Sequence, residues 1–196
     1  MRKLVYYVGS TIDGFIAGPD GSWDFFPIEA DLGAYVNGLL PEVVPTAYRS
    51  ALGIDAPNAR FDAVVMGRST YDPALAEGIT SPYAHLTQYV FSRTLPPAAE
   101  PEVEIVSADP VEFVRELKRR SGRDIWLCGG GQLAGQLLPE VDELMIKLYP
   151  VTIGSGIPLA TRDFDPRRFD LVEARPFPSG PVLLHYTRPG TESADR

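Results

Sequence analysis

Three consecutive glycines separate an apolar run from a helix-like pattern in residues 127–134, which read "LCGGGQLA". The first turn of a helix offers unpaired N–H groups and the positive end of the helix dipole. Glycine allows a pyrophosphate to approach such a backbone, and Gly129-x-Gly131-x-x-Ala134 has the spacing of a dinucleotide fingerprint. The same glycines would also suit a tight strand–helix connection without a ligand. This stretch by itself leaves both interpretations open.

Two further stretches place anion-binding side chains where a predicted strand ends. Arg68 follows the apolar run "DAVVMG" and could offer a bidentate fork to a phosphate, while Ser69 or Thr70 could cap a helix. Ser92 and Arg93 follow the run "QYVF". An arginine at a strand end is more often only a solvated surface charge. Three such stretches at successive strand ends are better explained by one extended phosphorylated ligand.

Composition excludes several classes of function. The chain has 196 residues and a formal net charge of −8, which argues against a broad nucleic-acid or anionic-membrane surface. No apolar run approaches the ~18 residues of a membrane span. The start "MRKLVYYVGS" is typical of a first strand and not of a signal peptide, so we expect a cytoplasmic protein. One cysteine and two distant histidines predict no metal site.

Hydrophobic periodicity predicts alternating strands and helices. The predicted strands are 3–9, 62–67, 88–92, 103–107, 124–128 and 143–149. The predicted helices are 32–40, a short one within 46–53, one opened by Asp109 and Pro110, and one over 133–138. Residues 169–175 and 182–188 predict an antiparallel hairpin.

This order favours a mixed, mostly parallel α/β sheet with helices on both faces and a C-terminal antiparallel hairpin. We expect one domain over residues 1–188 and a disordered tail over 189–196. An ordinary Rossmann domain fits poorly, because the glycine turn comes late in the chain. The strand after it ends in Tyr149 and Pro150, with no acidic residue to hold a ribose hydroxyl.

Four segments together resemble the dihydrofolate-reductase-like superfamily. They are "VVMGRSTYD", "YVFSR", "IWLCGGGQLAGQLLP" and "STIDGFIAGPDG". Within that superfamily the chain resembles most closely the C-terminal reductase domain of the riboflavin-biosynthesis deaminase–reductase, as a stand-alone member. The resemblance covers residues 3 to about 188 and implies a three-layer α/β/α fold.

The resemblance implies NADPH as the cofactor. The implied cofactor-binding residues are Ile16, Ala17 and Gly18 near the nicotinamide, Gly67, Arg68, Ser69 and Thr70 at the phosphates, Ser92 and Arg93 at the adenosine ribose, and Gly129, Gly130, Gly131, Gln132 and Leu133 around the pyrophosphate. Two arginines suit a ribose 2′-phosphate better than a free hydroxyl, which favours NADPH over NADH.

For the substrate side the resemblance implies Trp23, which lies where dihydrofolate reductases have a pocket tryptophan. It also implies the loop "PVTIGSGIPL" of residues 150–159, which borders the substrate pocket in the riboflavin branch. The loop residues taken as substrate-binding are Thr152, Gly154, Ser155 and Gly156. A plain loop stabilised by glycine and proline is the alternative.

Three acids are candidate catalytic residues, since reduction needs a proton source for the reduced atom. Asp13 is the first candidate, although it could equally cap the turn at Asp13-Gly14. Asp24 and Glu29 are second choices. Glu29 does not match the carboxylate of true dihydrofolate reductases without a shift, and it could serve the dipole of the first helix instead.

The preferred hypothesis is an NADPH-dependent reductase that transfers a hydride to a C=N or C=O of a small heterocycle. The resemblance is to 5-amino-6-(5-phosphoribosylamino)uracil reductase of riboflavin biosynthesis. The alternatives are dihydrofolate reductase activity and a non-catalytic NADP-binding regulatory protein. The resemblance also implies a homodimer, and no nucleic-acid or membrane partner is expected.

Overall fold

Strands and helices alternate along residues 1–190, the part of the chain that this computed structural model describes. The strands are β1 (Leu4–Thr11), β2 (Phe15–Ala17), β3 (Phe61–Gly67), β4 (Thr87–Phe91), β5 (Val103–Val106), β6 (Asp124–Gly129), β7 (Glu143–Tyr149), β8 (Ile157–Pro158), β9 (Asp170–Pro176) and β10 (Val182–Thr187). The α-helices are α1 (Ala30–Leu39), α2 (Thr46–Arg49), α3 (Arg68–Ala76), α4 (Pro110–Arg119) and α5 (Gly131–Leu137). Short 3₁₀ helices span Pro41–Val43 and Leu138–Glu140.

The main sheet has eight strands in the order β5-β4-β3-β6-β1-β7-β10-β9. All neighbours from β5 to β7 are parallel, whereas β10 pairs antiparallel with both β7 and β9. The predicted mixed sheet with a closing hairpin is therefore confirmed. Of the tail predicted to be disordered, residues 191–196 lie outside the described part of the chain.

Helices cover both faces of this sheet because side chains alternate along each buried strand. Leu4 and Tyr6 of β1 enter one apolar cluster, which also holds Val114 of α4. Val5 enters the opposite cluster, together with Leu32 of α1. The chain thus has the three-layer arrangement that its sequence predicts. None of the helices within residues 1–190 is long and apolar enough to cross a membrane.

Helix α4 begins as its sequence predicts. The Asp109 carboxylate accepts hydrogen bonds from the amides of Val111 at 2.9 Å and Glu112 at 3.0 Å, and Pro110 occupies the first turn. Helix α1 likewise ends just before Pro41.

The small antiparallel sheet of β2 and β8 was not predicted. Its strands have three and two residues, which is too short for a period-two pattern to stand out. The two segments pair because the fold brings distant loops together.

At the end of the sheet opposite the glycine turn, a cluster of charged residues around Glu143 connects neighbouring strands. Glu143 is only 4% exposed and contacts Lys3 at 2.8 Å, Arg60 at 2.6 Å and His185 at 2.7 Å. Burial by itself would raise the pKa of Glu143, but hydrogen bonds from His185, Lys3 and Arg60 outweigh it and hold the pKa well below its usual value. The ionised carboxylate therefore stabilises the folded state.

We expect Glu143→Gln to lower the free energy of unfolding at pH 7 by about 3 kcal/mol, because it removes the buried negative charge that the partly buried Lys3 and Arg60 share. Folding lowers the pKa of Glu143, so its contribution is complete above about pH 5 and declines as the pH falls through the acid range. The gap between wild type and variant should therefore narrow toward pH 3. Urea denaturation at several pH values measures this gap.

Glu173→Gln is the matched control, since Glu173 is exposed and its carboxylate pairs with the equally exposed Arg175 on β9. We expect it to change stability by less than about 0.5 kcal/mol. Equal losses for the two variants would show that the Glu143 cluster does not stabilise the fold.

Candidate cofactor and substrate site

The carboxyl ends of β3, β4 and β6 meet at one edge of the sheet, and a groove of about 530 Å³ lies along that edge. This groove, called the anion groove below, is lined by nine of the predicted cofactor residues. They are Gly67, Arg68, Ser69, Ser92, Arg93, Gly130, Gly131, Gln132 and Leu133. The fold therefore brings together three sequence stretches that are far apart in the chain.

A larger cavity of about 990 Å³, called the inner cavity below, lies beside the groove on the α1 side of the sheet. Four further predicted cofactor residues line it, namely Ile16, Ala17, Thr70 and Gly129. Ser69, Gly130 and Ile157 line both spaces, so the groove and the cavity adjoin. Together they form an elongated site with two chemically different ends.

Gly18 is the one predicted cofactor residue that lines neither space. Its amide donates to the carbonyl of Ser22 at 2.7 Å, and a Cβ at this position would meet Ser22 Oγ at 2.7 Å. Tight local packing of the loop therefore explains this glycine.

The anion groove is cationic in a chain of net charge −8. Arg68 donates to Thr94 Oγ1 at 2.5 Å and lies 3.4 Å from Asp72, so its side chain links the ends of β3 and β4. Arg93 is exposed and makes no hydrogen bond or ion pair with any described residue. Its guanidinium is available to an anionic ligand.

Two glycines of the turn, Gly131 and Gly130, differ in how closely other residues pack against them. A Cβ on Gly131 would overlap the carbonyl oxygen of Pro158, and the Thr161 amide donates to the Gly131 carbonyl at 2.9 Å. Gly131 is therefore required by the protein's own packing, which the sequence interpretation did not foresee. At Gly130 a Cβ would meet only Thr70 Oγ1, at an ordinary 3.5 Å. Of the three glycines, Gly130 therefore leaves its backbone open toward the groove. The peptide bond between Gly129 and Gly130 is cis.

Asp13 does not line either space. Its carboxylate accepts from the Thr11 hydroxyl at 2.6 Å and from the amides of Ile153 at 3.0 Å and Gly154 at 2.7 Å. The Thr11 hydroxyl, assisted by these amides, lowers the pKa of Asp13. In the structure Asp13 therefore holds the 153–154 loop by hydrogen bonds, and its catalytic role stays a prediction that this position does not support.

The other two acids differ in position. Asp24 is exposed and lines neither space, so the structure gives no support to a catalytic role for it. Glu29 lines the inner cavity at the start of α1, and its side chain makes no capping hydrogen bond. Of the three acids, Glu29 alone faces the space in which a substrate could lie.

Of the predicted substrate-binding residues, two line one of these spaces and three do not. Trp23 lines the inner cavity and is 64% exposed. Gly156 lines the anion groove, and a Cβ there would overlap the carbonyl oxygen of Ala17. Thr152, Gly154 and Ser155 line neither space, and their role in substrate binding stays a prediction. The amides of Ile153 and Gly154 donate to the Asp13 carboxylate instead.

The sequence did not predict that strands of the main sheet form one wall of the inner cavity. Alternate residues of β1, β6 and β7 line the inner cavity, and they are Tyr7, Gly9, Trp126, Cys128, Lys147 and Tyr149. Burial raises the pKa of the Cys128 thiol to about 12, which keeps it neutral and unreactive near pH 7. One sequence feature could have indicated this wall, namely Lys147, because it is the one charged residue after Glu143 in the apolar strand "ELMIKLY".

The family model for the RibD C-terminal domain matches residues 2–183. The chain belongs to this family. Membership supports a reductase-like role and confirms the dihydrofolate-reductase-like fold that the sequence resemblance implied.

Two relatives from Bacillus subtilis (strain 168) are similar over nearly their full length. The uncharacterized protein YwjB is 31% identical over 192 residues, covering 95% of this chain and 98% of YwjB. The uncharacterized protein YyaP is 26% identical over 200 residues, covering 94% of each chain.

Two solved structures share the fold. A candidate riboflavin biosynthesis protein from Shewanella sp. PV-4 aligns with a TM-score of 0.69 and 22% identity, over 96% of this chain and 99% of that one. A diaminohydroxyphosphoribosylaminopyrimidine deaminase/5-amino-6-(5-phosphoribosylamino)uracil reductase from Thermotoga maritima aligns with a TM-score of 0.63 and 14% identity. This second match covers 95% of this chain and 56% of that one.

The two adjacent glycines provide a direct test of the site. We expect Gly131→Ala to destabilise the protein by about 1 to 3 kcal/mol, since its Cβ must displace the Pro158 backbone. Gly130→Ala should cost less than about 1 kcal/mol but place a methyl group in the groove. Thermal denaturation measures the first effect, and nucleotide titration the second.

Gly38→Ala serves as the control, since Gly38 is an exposed residue of α1 that lines neither space and has nothing within 4 Å of a Cβ. The assignment of Gly130 would be wrong if Gly130→Ala bound nicotinamide nucleotides as tightly as wild type.

Proposed function

We propose that the protein is an NADPH-dependent reductase that transfers a hydride to a C=N or C=O bond of a small heterocyclic substrate. One observation supports this best, namely a cationic groove that adjoins an aromatic cavity at Ser69, Gly130 and Ile157. A dinucleotide has the same division, with phosphates at one end and a planar reactive ring at the other. Membership of the RibD C-terminal domain family, which generally uses NADPH, points the same way.

The residues present fit this cofactor. Arg93 has no partner among the described residues and would hold the 2′-phosphate, with Arg68 beside it. The open backbone at Gly130 would admit the diphosphate. Ile16 and Ala17 would approach the nicotinamide, which supplies the hydride when the cofactor is bound.

The chain's own contribution is alignment of the substrate and a group that can relay a proton. Tyr7, Trp126 and Tyr149 form aromatic walls on which a planar substrate would stack. Such walls hold the reacting carbon near the nicotinamide end of the cofactor, and positioning of this kind is a large part of catalysis. Glu29 lines the same cavity and remains available as a proton-relaying acid.

The position of Glu29 also supports a second candidate function, dihydrofolate reduction, because that reaction uses a carboxylate near the first helix. Dihydrofolate should therefore be included among pterins, pyrimidines and simple carbonyl compounds in an assay that follows the absorbance of reduced nicotinamide. Turnover of any one of them supports catalysis. NADPH binding without oxidation across the whole panel would instead favour a non-catalytic regulatory protein.

We expect Arg93→Met to weaken NADPH binding about tenfold or more, because a charge-assisted hydrogen bond is lost. NADH binding should be unchanged, since NADH lacks the 2′-phosphate. Isothermal titration calorimetry with both nucleotides measures the two affinities. Arg119→Met, at an exposed position at the end of α4, is the matched control and should alter neither. Equal loss of NADH and NADPH binding in Arg93→Met would contradict the assignment.

The homodimer implied by the family resemblance stays a prediction. Sedimentation at several protein concentrations would test it.

A further inference from the structure

The anion groove and the inner cavity carry opposite charge. Among the described residues, the charged side chains that line the groove are Arg68 and Arg93. The inner cavity has one ammonium group, Lys147, and the three carboxylates of Asp20, Glu29 and Asp72. Whatever occupies the cavity therefore meets a different electrostatic environment from the ligand of the groove.

Lys147 projects from β7 into the sheet wall of the cavity. Its ammonium nitrogen lies 4.8 Å from the centre of the Tyr7 ring. Gly9 of β1 pairs with Lys147, and a Cβ built on Gly9 would meet Tyr149 Cε2 at 3.2 Å but Lys147 Cε only at an ordinary 3.9 Å. The lysine stem therefore lies beside Gly9 and the Tyr149 ring in an otherwise aromatic wall.

This ammonium has no polar partner within the described part of the chain. It makes no hydrogen bond or ion pair there, and its contact with the Tyr7 ring is a cation–π interaction. An ammonium group has three donors, and the face of an aromatic ring does not replace a hydrogen-bond acceptor. Lys147 therefore has donors available to a molecule in the cavity.

The positive field of Lys147 acts on its neighbours in the wall. Burial raises the pKa of Cys128 and of Tyr149, and in both cases Lys147 opposes the effect. Cys128 and Tyr149 remain neutral near pH 7 even so. An oxygen atom of a bound molecule could approach the ammonium without competition from an anionic side chain of the wall.

We propose that Lys147 binds an electron-rich oxygen, either a ring carbonyl or an ionised hydroxyl, of a planar and unphosphorylated substrate. The inference rests on the proposed function, because it takes the inner cavity as the substrate half of the site. Lys147 thereby determines which heterocycles are accepted. It also places a positive charge where electron density on the substrate oxygen increases during reduction.

Carboxylates in the inner cavity disfavour a phosphorylated molecule. A phosphate ester carries nearly two negative charges at neutral pH, and in the cavity it would meet Lys147 together with the carboxylates of Asp20 and Glu29, since Asp72 is paired with Arg68. One oxygen near Lys147 is accommodated, whereas a phosphate is repelled. The Thermotoga maritima protein is named for a phosphoribosyl substrate, so this chain would differ from it in substrate class.

Methylumbelliferone is a suitable probe because it is a planar bicyclic compound with one carbonyl and one acidic hydroxyl. Its fluorescence excitation spectrum distinguishes the neutral from the ionised form. In the presence of NADPH, at a pH where the free probe is mostly neutral, we expect saturable binding to wild type with the ionised share raised about tenfold. The phosphate ester of the same compound should bind at least about tenfold more weakly.

Lys147→Met should abolish the increase in the ionised share, whereas Lys147→Arg should retain most of it because the positive charge is kept. Circular dichroism and NADPH affinity establish that both variants are folded. The proposal is overturned if Lys147→Met ionises the bound probe as wild type does, if wild type does not bind the probe, or if the phosphate ester binds equally well.

Arg93→Met separates this inference from the proposed function. It should weaken NADPH binding and leave probe ionisation unchanged, since it lies in the groove and not in the cavity. Absence of NADPH binding to wild type, with the probe still ionised through Lys147, would overturn the proposed function alone. Normal NADPH binding with no effect of Lys147→Met would overturn this inference alone.

Discussion

Direct contact between main chains, made possible by glycine, is the constraint on which the site depends. The segment from Gly156 to Thr161 lies against β2 and α5 so closely that a Cβ on Gly131, Gly135 or Gly156 would overlap a backbone carbonyl. Hydrogen bonds fix the same approach, because the Leu159 amide donates to Gly14 and the Thr161 amide to Gly131, both at 2.9 Å. This segment supplies Ile157, which lines both the groove and the cavity, so one packing arrangement shapes both halves of the site.

Charged residues at the two ends of the sheet differ in whether they have partners of opposite charge. At one end, the buried cluster around Glu143 joins β7 and β10 to Lys3 and Arg60, and its charges are largely neutralised within the protein. At the other end, Arg93 and Lys147 have no anionic partner among the described residues. Cations that stabilise a fold are paired, whereas unpaired cations in a concave site are available for ligands. This difference in pairing is the reason that we propose ligand-binding roles for Arg93 and Lys147 and a structural role for the Glu143 cluster.

Sequence reasoning succeeded where a feature is local or periodic. The Asp109 cap and the apolar run ending at Gly67 are both encoded within about ten residues, and the family resemblance placed Arg93 in the groove. It failed where a role depends on loops that meet only in the folded state. Asp13 has the residue type of a catalytic acid, yet it binds the distant 153–154 amides. Nor does the sequence show that Gly131 lies against Pro158 while Gly130 remains open.

Under the proposed function, one reduced dinucleotide occupies the groove with its nicotinamide directed toward the inner cavity. A crystal structure of the protein with NADP⁺ tests this most directly. We expect the 2′-phosphate at Arg93, the diphosphate beside Gly130 and the nicotinamide between Ala17 and the wall that contains Lys147. A nucleotide bound in the reverse direction, or outside the groove, would contradict it.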